Sequence, residues 1–198
     1  MGRLLGGAVG FLMTKKAQLG IAVVILILTL MNAVVYCDVP EGYQPYLHSE
    51  DVAVLSIWFN NLRCAFLMIL VGIIPCFLGT IVATTMTTRN FVISWKCLLT
   101  RMTPDRIALG VLPHGLIEGT CLFLSVALST TVSCVTTAFL LWVVFPRGGP
   151  ASEPVVVRPD VKHVGISIAE VTLVAIAPLL LLSALVETYI SPLALNYG

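Results

Sequence analysis

Charge is what this sequence has least of. Lysine, arginine, aspartate and glutamate make 11% of 198 residues, against roughly 25% in soluble domains, so most of the chain cannot present a solvated globular surface. The charges nearly cancel, at +1, and no broad basic face argues for nucleic acid. Six cysteines contain no C-x-x-C spacing and mostly sit in apolar runs, where a thiol behaves as a small hydrophobe; neither a zinc site nor a disulfide framework is indicated. Cys37 with Cys64 is the one pairing that loop positions suggest. There is no G-x-S-x-G elbow, no H-E-x-x-H and no Walker loop, so no catalytic residue, metal ligand set or cofactor is identified and the expectation is a protein that is not an enzyme.

Long apolar runs fill the space that charge leaves. With 58% hydrophobic residues and a mean hydropathy of +1.01, the chain reads as an all-α, polytopic transmembrane helix bundle forming one integral membrane domain. Met1 to Thr14 is an interfacial lead-in. About five spans are predicted, over residues 19–36, 62–86, 107–128, 130–145 and 165–190. A cleaved signal peptide competes for the first, but the run is long and lacks an A-x-A-like end. Asp38 to Asp51 is an acidic surface loop, and Val52 to Arg63 a helical approach with Trp58 at interface height. Gly72 and Gly79 give the second span a small-residue edge, and Pro75 bends it. Phe91 to Leu99 is too short to cross and reads as an interfacial or re-entrant segment, or as an early extension of the next helix. Ile107 to Phe145 is long enough for two crossings, with Ser129-Thr130-Thr131 as the turn between them. Residues 146–163 hold four prolines and a Gly-Gly pair and form a solvated cytoplasmic loop. Pro178 kinks the last span.

Grouping Arg3, Lys15, Lys16, Arg89, Lys96, Arg101, Arg106, Arg147, Arg158 and Lys162 on one side, and Asp38, Glu41, Glu50 and Asp51 on the other, satisfies the positive-inside rule. The expectation is a multi-pass protein of the cell membrane, N-terminus cytoplasmic and C-terminus outside.

One stretch combines ionisable residues with an apolar run: Leu112-Pro113-His114-Gly115-Leu116-Ile117-Glu118. Four-residue spacing puts His114 and Glu118 on one helical face, and an ionisable group in lipid costs roughly 2.5 kcal/mol or more, so the pair should point inward. Pro113 frees the carbonyl of Leu109 and invites a kink. Gly115 and Gly119 form a small-xxx-small step where another helix can approach. The readings of the pair are a polar clasp that fixes helix register, or a functional group, either a proton or ion relay or a ligand site. Arg63 is expected to neutralise Glu187 at the outer surface. Asn60 and Asn61 are helix caps and interhelical hydrogen bonders, or part of a partner surface.

Three blocks carry a resemblance. They are Phe59-Asn60-Asn61-Leu62-Arg63 leading to Gly72 and Gly79-Thr80, then Leu112-Pro113-His114-Gly115 with Glu118, then Leu182 through Glu187 to Ser191-Pro192. On these the chain resembles the stage II sporulation protein M family. It departs from the pattern after the second span, where the family commonly has Asn-Gly and Asn90 is here followed by Phe91. The resemblance implies a five- or six-helix integral membrane protein without an established catalytic activity. The namesake is similar to a membrane scaffold that works with a second membrane protein and a peptidoglycan-degrading partner at the septum of spore formers; many relatives occur in organisms that never sporulate. The expected function is a non-enzymatic scaffold in contact with lipid and other membrane proteins, with homo-oligomerisation open. A small transporter or channel component gated by His114 and Glu118 is the alternative.

Overall fold

The computed structural model describes residues 14–41, 54–144 and 161–192. The lead-in before Thr14, most of the acidic loop and most of the 146–163 loop lie outside the described residues. The described residues form five long helices: α1 (Lys15–Tyr36), α2 (Val54–Val71), α3 (Leu78–Arg101), α4, in which Pro104–Arg106, a π segment Ile107–Val111 and Leu112–Val144 run on without a break, and α5, in which Val161–Val171, Ala177–Leu185 and the π segments Thr172–Ile176 and Val186–Ile190 do the same. Among the described residues there is no strand, and four helices (α1, α2, α4 and α5) are long and apolar enough to cross a membrane. The fold is an all-α membrane bundle.

The helices alternate in direction. Lys96, late in α3, donates to the carbonyls of Val34 and Cys37 at 3.0 and 2.7 Å, so α1 and α3 finish at the same end. Thr131, late in α4, bonds Gln18 at the start of α1, so α4 runs against α1. Cys121 faces the carbonyl of Ile176, and Ser183 donates to that of His114, so α5 runs against α4. Lys15, Lys16 and Lys162 therefore mark one end of the bundle, and Tyr36, Arg101 and Pro104 the other. Lys96, Arg101 and Arg106 lie with Asp38 at the Tyr36 end, not with Lys15 and Lys16 as the charge grouping expected. That grouping fails because it assumed a second span over 62–86 and a surface segment over 91–99. The chain instead reverses at Gly72–Phe77, and α3 then runs on through Asn90 and Phe91.

The turn expected at Ser129-Thr130-Thr131 is also absent. All three residues lie inside α4, because a hydroxyl can bond the carbonyl one turn back and leave the helix intact. Thr130 donates to Val126 O at 2.8 Å and Thr131 to Ala127 O at 3.0 Å. The hydroxyls of α4 instead serve the α2–α3 reversal. Thr137 Oγ1 accepts from the Cys76 amide at 2.8 Å, Ser133 Oγ accepts from that of Phe77 at 3.0 Å, and Thr136 donates to the carbonyl of Gly72. These contacts hold Cys76 and Phe77 left-handed, at φ of 60° and 63°, a conformation costing roughly 1–2 kcal/mol per non-glycine residue. Gly72 and Gly79, expected as the small-residue edge of one span, stand instead at the start of the reversal and just past its end. A Cβ on Gly72 would collide with the Ser129 carbonyl oxygen, and one on Gly79 with that of Val71.

Proline acts through a common device. Pro113, Pro178 and Pro192 each stand two residues beyond the last residue of a π segment. In each case the amide just before the proline donates five residues back: Leu112 to Ile107, Ala177 to Thr172, and Ser191 to Val186. A proline cannot donate and its ring crowds the carbonyl four residues back, so the preceding turn widens. The expected kinks at Pro113 and Pro178 thus take the form of wide turns, and two of these, Ile107–Val111 and Val186–Ile190, touch each other where α4 meets the end of α5.

Candidate functional site

The residues that carry chemistry meet along the Tyr36 half of α4. Just past its π segment α4 carries a proline, an imidazole and a carboxylate within seven residues, and it packs against α1, α2 and α5. Glu118 accepts from Asn61 Nδ2 at 2.8 Å across the α2–α4 seam. His114 Nδ1 lies 3.1 Å from Ser191 Oγ across the α4–α5 seam. Ser191 is buried and also lies 3.4 Å from the Val186 carbonyl; its one proton can go to that carbonyl while its oxygen accepts from the ring. Ser183 donates to the His114 carbonyl at 3.3 Å, so α5 reads this residue at both backbone and side chain.

His114 and Glu118 are half-buried, and these bonds direct them to different helices. Together they tie α2, α4 and α5 into one register, each interhelical hydrogen bond in a membrane contributing roughly 0.6–2 kcal/mol. A third tie lies alongside: Trp58 Nε1 donates to the Ala177 carbonyl at 2.9 Å. Trp58 was expected as an interfacial anchor, and it is a half-buried interhelical donor. Trp95 packs beside Phe91 and against Gly115, where a Cβ would meet its ring at an ordinary 3.5 Å. Gly119 has nothing within 4 Å of such a Cβ, so the expected close approach at Gly115 and Gly119 is not made.

The Arg63–Glu187 pair is not among the contacts that the structure describes. From the Trp58–Ala177 bond, Arg63 lies five residues toward the Lys15 end and Glu187 ten residues toward the Tyr36 end, an axial separation of roughly 20 Å. The expectation fails because α2 begins at Val54 rather than at residue 62, which moves Arg63 from the surface to mid-helix. It is exposed there, as is Asn60, while Glu187 is half-buried in the π segment Val186–Ile190. Cys37 and Cys64 are both free, as are the other four cysteines. Among the described residues no group of three or more His, Cys, Asp or Glu could hold a metal ion.

A family model described as Stage II sporulation protein M matches residues 4–192. The chain belongs to the stage II sporulation protein M family. No curated protein and no solved structure matches it. In this member of the sporulation-protein-M family, the three sequence blocks that carry the resemblance are joined by the two side-chain bonds just described, Asn61 to Glu118 and His114 to Ser191. It is a multi-pass membrane protein of a sporulation-related family.

Sequence reasoning missed Ser183, Lys96 and the three α4 hydroxyls that hold the reversal. A hydroxyl or ammonium next to an apolar run is the available signal, but its partner is always a backbone group distant in sequence. Arg89 was placed at a membrane surface, and it lies at the middle of α3, exposed, eleven residues past Leu78 and twelve before Arg101.

Proposed function

We propose that this protein is a non-enzymatic scaffold that assembles other membrane proteins, with its N-terminus in the cytoplasm and its C-terminus outside. The observation that carries this reading is a pair of outward cations at mid-depth. Arg63 stands nine residues past Val54 and eight before Val71, and Arg89 is as central in α3. Each is therefore roughly 12–18 Å from either end of its helix, farther than an arginine side chain can snorkel. Both are exposed, and no hydrogen bond or ion pair is described for either. A lipid-facing arginine at a span's centre costs roughly 2.5–3.5 kcal/mol on insertion scales. A bundle with two such residues on different helices is incomplete alone, and further transmembrane chains with compensating groups complete it.

The inward polar residues support the same reading. His114 and Glu118 hold seams between helices, which is the work of a rigid platform, and this gives the transporter alternative no support. For orientation, Lys15, Lys16 and Lys162 stand at one end, while the other has Asp38 and Glu41 beside Lys96, Arg101 and Arg106, with the Lys96 ammonium occupied by the last carbonyls of α1. Arg3, Arg147 and Arg158 lie outside the described residues. The test is chemical cross-linking in native membranes followed by purification of the tagged chain. The scaffold reading expects a small, reproducible set of integral membrane proteins to travel with it; a chain that purifies alone contradicts it.

A further inference from the structure

We infer that the outer face of α3 is the docking surface for a transmembrane helix of another protein, one that carries an aspartate or glutamate near its middle to meet Arg89. This rests on the scaffold reading and names the chemistry of one partner. Two observations converge on this face. Of the five long helices, α3 is the one whose sequence is not apolar enough to cross a membrane by itself, yet it is packed into the bundle beside α1. Its inward side is a threonine stripe, Thr80, Thr84 and Thr88, fully buried, with the last two bonded to carbonyls one turn back. Its outward side presents Ile81, Val82 and Met86 around Arg89 and Asn90, all exposed. This is an apolar helix surface with one cation and one amide at its centre, the complement of an apolar helix with a central carboxylate.

The depth of Arg89 excludes the simpler occupants. The Trp95–Gly115 and Thr80–Ser129 contacts bracket it level with Cys121, deep in the bundle. A lipid phosphate stays at the membrane surface, more than a guanidinium's reach away. A second copy of this chain offers no matching acid among the described residues. Glu118 is held by Asn61, Glu187 is half-buried near the Tyr36 end, and Glu170, although exposed, lies six residues along α5 from Ile176, which faces Cys121. That offset is roughly 9 Å toward the Lys15 end.

The test uses the full chain in phosphatidylcholine vesicles with a fluorescent leucine-alanine peptide of about 21 residues carrying one central aspartate. By energy transfer, this peptide should bind at least about tenfold more tightly than its all-leucine control. Arg89→Leu should remove the difference, Arg89→Lys should keep part of it, and Arg89→Glu should transfer the preference to a lysine-centred peptide. Thermal unfolding should be unchanged in all three, because Arg89 contributes no described bond to the fold. Equal binding of the aspartate and leucine peptides, or discrimination that survives Arg89→Leu, would overturn the inference. So would energy transfer between two labelled copies of the chain that Arg89→Leu abolishes, which would assign the face to self-association. Capture of native membrane proteins that survives Arg89→Leu would also overturn it while leaving the scaffold reading intact.

Discussion

The two halves of α4 meet the same physical problem by opposite means. Toward its Lys15 end, α4 carries Thr130, Ser133, Thr136 and Thr137, whose hydroxyls bond either a carbonyl of their own helix or the backbone of the α2–α3 reversal, while Ser129 shares a bond with the Thr80 hydroxyl of α3. Toward its Tyr36 end, α4 carries His114 and Glu118, whose described partners are side chains on two other helices. A hydroxyl can satisfy itself locally and tolerates loss of a neighbour. An imidazole or a carboxylate cannot, so its bond couples helices and its loss strands a polar group in an apolar setting. The first half builds the fold, and the second sets the register among α2, α4 and α5.

The comparison can be broken first at the reversal. Gly72→Leu and Gly79→Leu drive a side chain into a backbone carbonyl and should cost at least about 3 kcal/mol, seen as loss of folded protein in detergent thermal unfolding. Gly119→Ala, with open space around it, should stay within about 0.5 kcal/mol. On the other half, Asn61→Ala and Glu118→Ala should each cost about 1–3 kcal/mol. In a double-mutant cycle they should couple by roughly 0.6–2 kcal/mol, whereas Asn61 with Ser191, which share no bond, should add independently. Thr137→Val removes the acceptor for the Cys76 amide and should cost about 1–2 kcal/mol. The smallest effect has the opposite sign. Cys76→Gly relieves a left-handed residue whose side chain is exposed and should stabilise by about 0.5–1 kcal/mol. If Asn61 and Glu118 showed no coupling in the cycle, the distinction between the halves would lose its basis.

What the sequence made legible follows the same division. The bundle, the polar His114 and Glu118 and the prolines that disturb helices were readable, because each depends on a residue's own chemistry against an apolar background. Where α4 continues was not. Ser129-Thr130-Thr131 resembles a turn by polarity, and only back-bonding to Val126 and Ala127 shows why the helix passes through. The apolar pattern starts the second span at residue 62 and leaves Val52–Arg63 as a helical surface approach, since Trp58, Asn60, Asn61 and Arg63 are polar or interfacial; in the structure one helix runs from Val54 to Val71, which puts Arg63 at mid-helix and away from Glu187. Arg89 and Lys96 were misplaced for a related reason. A threonine-rich helix with an arginine at its centre looks like the end of a span until its buried stripe is seen.

The bundle depends on α4 being one uninterrupted strut, because this helix carries both the reversal's hydroxyls and the register bonds. Spin labels at the exposed positions Leu112 and Leu140, with their separation measured by pulsed electron resonance in proteoliposomes, test this directly. A continuous helix places them about 42 Å apart, at 1.5 Å per residue. A separation under about 20 Å, as two antiparallel crossings joined near Ser129 would give, would contradict it.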